Sequence, residues 1–192
     1  MAEEVSNTEV KKCFVVSTRA KGLAGFDKQH FQACLQEIEH KVSNLNYAEL
    51  DLEIDWPPRR DMLNSKSLRW IFGKCSIDEI GVWVNHEGSG GLPREWCAGS
   101  VRDTVQALNE NSSRKFSGRA SYAISGIKNI AETLVEHRML SIIVVVSGLW
   151  YQRRRAPCKS VKYDIDDGCM RAIALAQCDQ EYINAFIGMM KG

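Results

Sequence analysis

The sequence predicts an α/β (α+β) fold: a small mixed sheet with flanking helices, preceded by an N-terminal βαβ extension. Three observations predict it. Leu140 to Ser147 (LSIIVVVS) is a β-branched run of strand length, apolar enough to be covered on both faces. Two stretches before it repeat apolar residues at helical spacing. After it, the order strand, Asp-Gly turn, helix, strand closes the chain.

Taken in order, Lys12 to Thr18 (KCFVVST) reads as a buried strand. Phe26 to Asn44 follows as an amphipathic helix, with Phe31, Cys34, Leu35, Ile38 and Val42 on one face and Asp27 as its N-cap. Leu50 to Asp55 alternates apolar and acidic residues as an exposed strand does, and Pro57-Pro58 ends it. A polar connector from Arg59 to Ser67 sets a boundary, with 1–67 as the βαβ-like extension and 68–192 as the main domain. Cys75 to Asn85 reads as a strand entering a loop, and Gly88 to Gly91 as a turn. Arg94 to Asn111 and Tyr122 to His137 read as helices. Val101, Val105 and Leu108 face inward on the first, and Ile127, Ile130, Leu134 and Val135 on the second. Gly148 to Pro157 is a basic, aromatic loop. Ser160 to Asp166 is a strand, a helix runs from Gly168 to Gln177, and Tyr182 to Gly188 is the closing strand.

Composition bounds the function. The 192 residues fit one domain, and the net charge of +1 argues against coating nucleic acid by bulk charge. The acidic N-terminus has no signal-peptide core, and the longest apolar run is too short to span a membrane. A soluble cytoplasmic protein without a membrane partner is expected. Seven cysteines, at 13, 34, 75, 97, 158, 169 and 178, form no close C-x-x-C pair, so neither a zinc knuckle nor a secreted disulfide framework is expected. His30 and His40 do not have ligand spacing, and no metal site held by the protein alone is expected.

The chemistry concentrates at Asp166-Asp167-Gly168-Cys169-Met170-Arg171. A helix N-terminus leaves backbone N–H groups without partners and carries partial positive charge, so it accepts anions. Gly168 lets the backbone come close to a ligand. Arg171, three residues on, reaches the same side of the first turn and can grip a phosphate through two parallel hydrogen bonds. One of Asp166 and Asp167 can cap the helix, and the other can hold Mg²⁺ against the phosphates. Taken alone, G-x-x-R is better explained by a capped helix whose arginine makes a surface ion pair.

The surrounding order of elements resembles the ParB/sulfiredoxin-like superfamily. The resemblance rests on Ile130 to Val146, on Tyr163 to Ala176 with its D-G-x-x-R turn, and on Ile183 to Gly188. It extends to Cys75–Ile80 leading into Asn85-His86-Glu87, and leaves out the first 60 residues. It implies nucleotide or phosphate binding, with ATP, ADP or CTP and Mg²⁺ as the cofactors and Gly168 and Arg171 on the phosphates. Cys169 stands where sulfiredoxins carry their reactive thiol. His86-Glu87 matches the H-E of the free serine kinase branch, which implies Glu87 as general base, Asp167 as a group placing metal or substrate, and His86 and Asp166 beside the nucleotide. The turn departs from both branches: Met170 replaces the histidine before the arginine, and Cys169 the other histidine of the kinase turn. ParB proteins need a helix-turn-helix domain after this module, which is not expected before Gly192.

The leading expectation is therefore a nucleotide- or phosphate-binding protein, with phosphotransfer or hydrolysis as its candidate activity. One alternative is a nucleic-acid-binding or nuclease-like module. For it Trp150, Tyr151, Arg153, Arg154 and Arg155 supply stacking rings and phosphate contacts. Another is a non-catalytic accessory protein that keeps the fold. Nucleotide, DNA and a second copy of the chain as a homodimer are the candidate partners.

Overall fold

A computed structural model describes residues 2–23, 26–82, 91–97, 99–133, 137–149 and 161–192. The first third is helical. A short strand β1 (Glu3–Val5) leads into α1 (Asn7–Ala20), followed by α2 (Lys28–Ser43), α3 (Tyr47–Leu52) and α4 (Pro57–Asn64). The remainder comprises β2 (Leu68–Ser76), β3 (Ile80–Gly81), α5 (Val101–Glu110), α6 (Gly118–Thr133), β4 (Ile142–Val146), β5 (Tyr163–Asp167), α7 (Cys169–Gln177) and β6 (Tyr182–Met190).

The six strands form one mixed sheet in the order β1-β2-β6-β4-β5-β3. β4 lies parallel to β6 and antiparallel to β5, and β3 lies parallel to β5. Helices cover both faces. Ile142 and Val144 join the core under α5, α6 and α7, whereas Ile143 and Val145 join the core under the N-terminal helices. Such two-sided burial is why Leu140 to Ser147 reads as an uninterrupted apolar run. The mixed sheet with flanking helices is as expected.

The βαβ reading of residues 1–67 is corrected. Lys12 to Thr18, expected as a strand, lies inside α1. That helix buries Val10, Lys11, Cys13, Phe14, Val15, Val16 and Ser17, nearly its whole girth, so no polar face marks the helical period. Ser6 caps it, accepting a hydrogen bond from the Glu9 amide. Leu50 to Asp55 is no strand: it is the end of α3 and the turn after it. Leu50 and Ile54 are buried, but Leu52 is 80% exposed. A full capping box, Asn46 with Glu49, starts this helix. Pro57-Pro58 begins α4 instead of ending a strand, because proline fits the first helical turn, whose N–H groups have no acceptor. Lys11, fully buried, fastens α1 to α3 through Asp51 and lies 3.4 Å from the centre of the Tyr47 ring.

In the second half the shifts are small. The strand expected to begin at Cys75 is nearly finished there: β2 starts at Leu68, directly after the expected connector, and pairs along its length with β6. The expected Arg94–Asn111 helix is split into a 3-10 turn (Arg94–Cys97) and α5, which Ser100 and Asp103 cap reciprocally. Among the described residues no helix is long and apolar enough to cross a membrane.

Candidate functional site

β5 carries Asp164 near its start and Asp166 and Asp167 at its carboxyl end, all buried. Tyr163 and Ile165 point into the core under α5–α7. Alternation therefore turns Asp164 and Asp166 toward the N-terminal helices. A register shift between Ile143 and Val144 accompanies the pairing of Asp167 with β4. Gly168 then takes a left-handed conformation (φ 90°, ψ 21°) as the N-cap of α7. The glycine is required twice over. Positive φ disfavours any side chain, and a Cβ here would stand 2.8 Å from both the Arg171 Nη2 and Ile142 Cγ2 atoms. With no side chain at Gly168, α7 has no side-chain cap.

The strand–turn–helix expected here is present, but its charged groups are engaged with partners the sequence did not reveal. Ser17 of α1 donates its hydroxyl to Asp167 Oδ2 at 2.7 Å. Arg171 Nη1 donates to Ser17 Oγ at 2.7 Å, and Arg171 Nη2 donates to Asp167 Oδ2 at 3.1 Å. The bidentate grip on phosphate expected of Arg171 is thus engaged by protein atoms, and its buried Nε has no acceptor among the described residues. Lys21, in the 3-10 turn after α1, holds its ammonium 3.7 Å from Asp167 Oδ1 and is 63% exposed. Arg59 of α4 donates to Asp166 Oδ2 at 2.6 Å and to the Asp166 carbonyl at 2.8 Å. Its guanidinium also lies 4.6 Å from the centre of the Phe14 ring.

Electrostatics follow from this placement. Burial acts to raise the pKa of Asp167. Arg171 first, then Lys21, the Ser17 hydrogen bond and Arg59, outweigh burial and hold the carboxyl below its ordinary range. Asp167 is therefore an ionised acceptor at neutral pH and no proton donor. Cys13 lies one helical turn before Ser17 and directs its thiol at the Ser141 carbonyl, 3.4 Å away. Its pKa is raised far above the ordinary thiol value, chiefly by burial, so it is no nucleophile.

Of the expected site residues, Asp166, Asp167, Gly168, Cys169 and Arg171 come together at the β5–α7 turn. Cys169 is half-buried, and Met170 packs toward α6, where its methyl would lie 3.1 Å from a Cβ at Gly126. His86, Glu87, Trp150, Tyr151, Arg153, Arg154 and Arg155 lie outside the described residues. Sequence reasoning missed Ser17, Lys21 and Arg59. Ser17 and Lys21 are four apart, a spacing that signals one face only once α1 is recognised as a helix. Among the described residues no group of three His, Cys, Asp or Glu side chains can hold a metal ion, and no cysteines pair. Arg59 and Arg171 occupy Asp166 Oδ2 and Asp167 Oδ2.

No family model, no curated protein and no solved structure matches the chain.

Proposed function

We propose that this chain is a nucleotide- or phosphate-binding protein whose anion site is the β5–α7 turn. One observation carries the reading: the exposed ammonium of Lys21 stands beside the uncapped N-terminus of α7, in whose first turn Arg171 lies. Backbone N–H groups and the helix dipole attract an anion there, and Lys21 adds a mobile charge that can leave Asp167 for a phosphate. Arg171 contributes its charge from behind and fixes the turn. The reading keeps the resemblance to the ParB/sulfiredoxin-like superfamily and a cytoplasmic setting. It assigns no catalytic step, since Asp167 is held ionised between Arg171 and Ser17.

Isothermal titration with ATP, ADP and CTP, each with and without Mg²⁺, tests it. Binding that weakens about tenfold on Lys21→Ala is the expected result, the factor a hydrogen bond to a charged group is worth. No binding of any of the three to the wild-type chain, or binding unchanged in Lys21→Ala, overturns it. Lys21 is the informative position because its exposure keeps the cost of the substitution to folding small.

A further inference from the structure

A concave site lies between α5, α6 and the carboxyl end of α7, with a volume of about 350 Å³. Its base is apolar: Leu108 and Ile127 are buried there beside Trp96. Trp96 and Phe116 meet edge to face, with ring centres 5.2 Å apart and planes at 83°. Arg114 and Lys128 line the same cavity. The Arg114 guanidinium lies 5.2 Å from the centre of the Phe116 ring. Neither cation forms an ion pair with a described residue. No aspartate or glutamate lines the cavity, whose remaining polar groups are amides and hydroxyls. The carboxyl end of α5, which carries partial negative charge, is partly closed by Asn111. Its backbone N–H and Nδ2 both donate to the Ala107 carbonyl, at 3.2 and 2.8 Å.

Two cations with no ion pair among the described residues line a cavity with an aromatic base. Binding sites are mostly apolar, with a few convergent polar groups that set orientation, and 350 Å³ is at the small end of their range. One ring system fills it. The ring packs on Trp96 and Phe116, where aromatic pairs gain from offset or edge contact. A carboxylate on that ring meets the guanidinium fork of Arg114 and the ammonium of Lys128.

We propose that the cavity between α5 and α6 binds a small aromatic carboxylate, independently of the β5–α7 turn. The test uses the full chain with indole-3-acetate as probe and its uncharged amide as control. Binding is followed by ¹⁵N–¹H spectra at the Trp96 indole N–H, assigned through Trp96→Phe. The carboxylate shifts the Trp96 resonance and binds about tenfold more tightly than the amide. The Arg114→Gln/Lys128→Gln variant abolishes that preference while leaving the spectrum of the free protein otherwise intact, as both side chains are exposed. Lys21→Ala leaves it unchanged, which separates this site from the nucleotide reading. Equal affinity for acid and amide, an undiminished preference in the double variant, or no shift of Trp96 at millimolar probe overturns the proposal.

Discussion

Replacing Arg171 with methionine isolates the energetics of the clasp beneath the turn. Arg171 is 15% exposed and Asp167 8%, so water screens their pair poorly. Methionine keeps the packed stem and removes the donors to Ser17 and Asp167. The Asp167 carboxylate is then left buried with the Ser17 hydroxyl and an ammonium at 3.7 Å. Breaking a buried pair from one side costs about 3–5 kcal/mol, and the remaining partners place this loss near about 3 kcal/mol. With a urea slope of about 2–3 kcal/mol per molar, the unfolding midpoint at pH 7 falls by about 1–1.5 M. The sign of the pH dependence is fixed as well. In the wild type the pKa of Asp167 is lowered, so its contribution is full above the unfolded value of about 3.9 and is lost as pH falls through the folded value. Without Arg171, burial gains the upper hand and raises that pKa. Protonation then relieves the variant, and its deficit narrows as the pH is lowered through Asp167's new value. Asp167→Asn in the Arg171→Met background restores part of the loss, with a coupling of about 1–3 kcal/mol. Urea unfolding of the four cycle members, followed by tryptophan fluorescence at pH 7 and pH 5, reads all of this. A loss below about 1 kcal/mol, the same at both pH values, with coupling under about 0.5 kcal/mol, refutes the clasp.

Two further outcomes follow from the same geometry. Gly168→Ala forces a side chain into φ 90° and against Ile142 and Arg171; it lowers stability by about 2–3 kcal/mol in thermal or urea unfolding. Thiol labelling with a disulfide reagent at pH 8 modifies exposed Cys178 promptly and leaves Cys13 and Cys75 unmodified until the chain unfolds. Burial raises both of the latter, Cys75 to about 12. Rapid native labelling of Cys13 contradicts its burial on the inner face of α1.

What could be read from the sequence depended on how each element is buried. β4 and β5, the Gly168 turn, α7 and β6 were legible because strand length, a D-G turn and an alanine-rich run each have a local cause. α1 was not. With Val10 to Ser17 almost all buried, a helix and a buried strand share one apolar pattern, and the β-branched Val15 and Val16 tip a local reading to strand. The cue for α1 lies at its N-terminus, where Ser6 accepts from the Glu9 amide, and Asn46 with Glu49 gives the matching cue for α3. The same error hid half of the site. The turn itself is visible, but its partners arrive from 107 to 154 residues away in sequence, on helices whose local pattern reads as strand or connector. Arg59 sits in a helix whose opening Pro57-Pro58 reads as a stop. Nothing local in the sequence around Arg114 and Lys128 announces that Trp96 and Phe116 line the same cavity.

The most direct test of the anion site is a ¹⁵N–¹H titration of the full chain with inorganic phosphate and then ATP, recording the amides of the first turn of α7. The account predicts that Cys169, Met170 and Arg171 shift first and saturably, that ATP acts at lower concentration than phosphate, and that Lys21→Ala weakens both. Shifts confined to other elements, or none at Met170 and Arg171 at saturating ligand, contradict it.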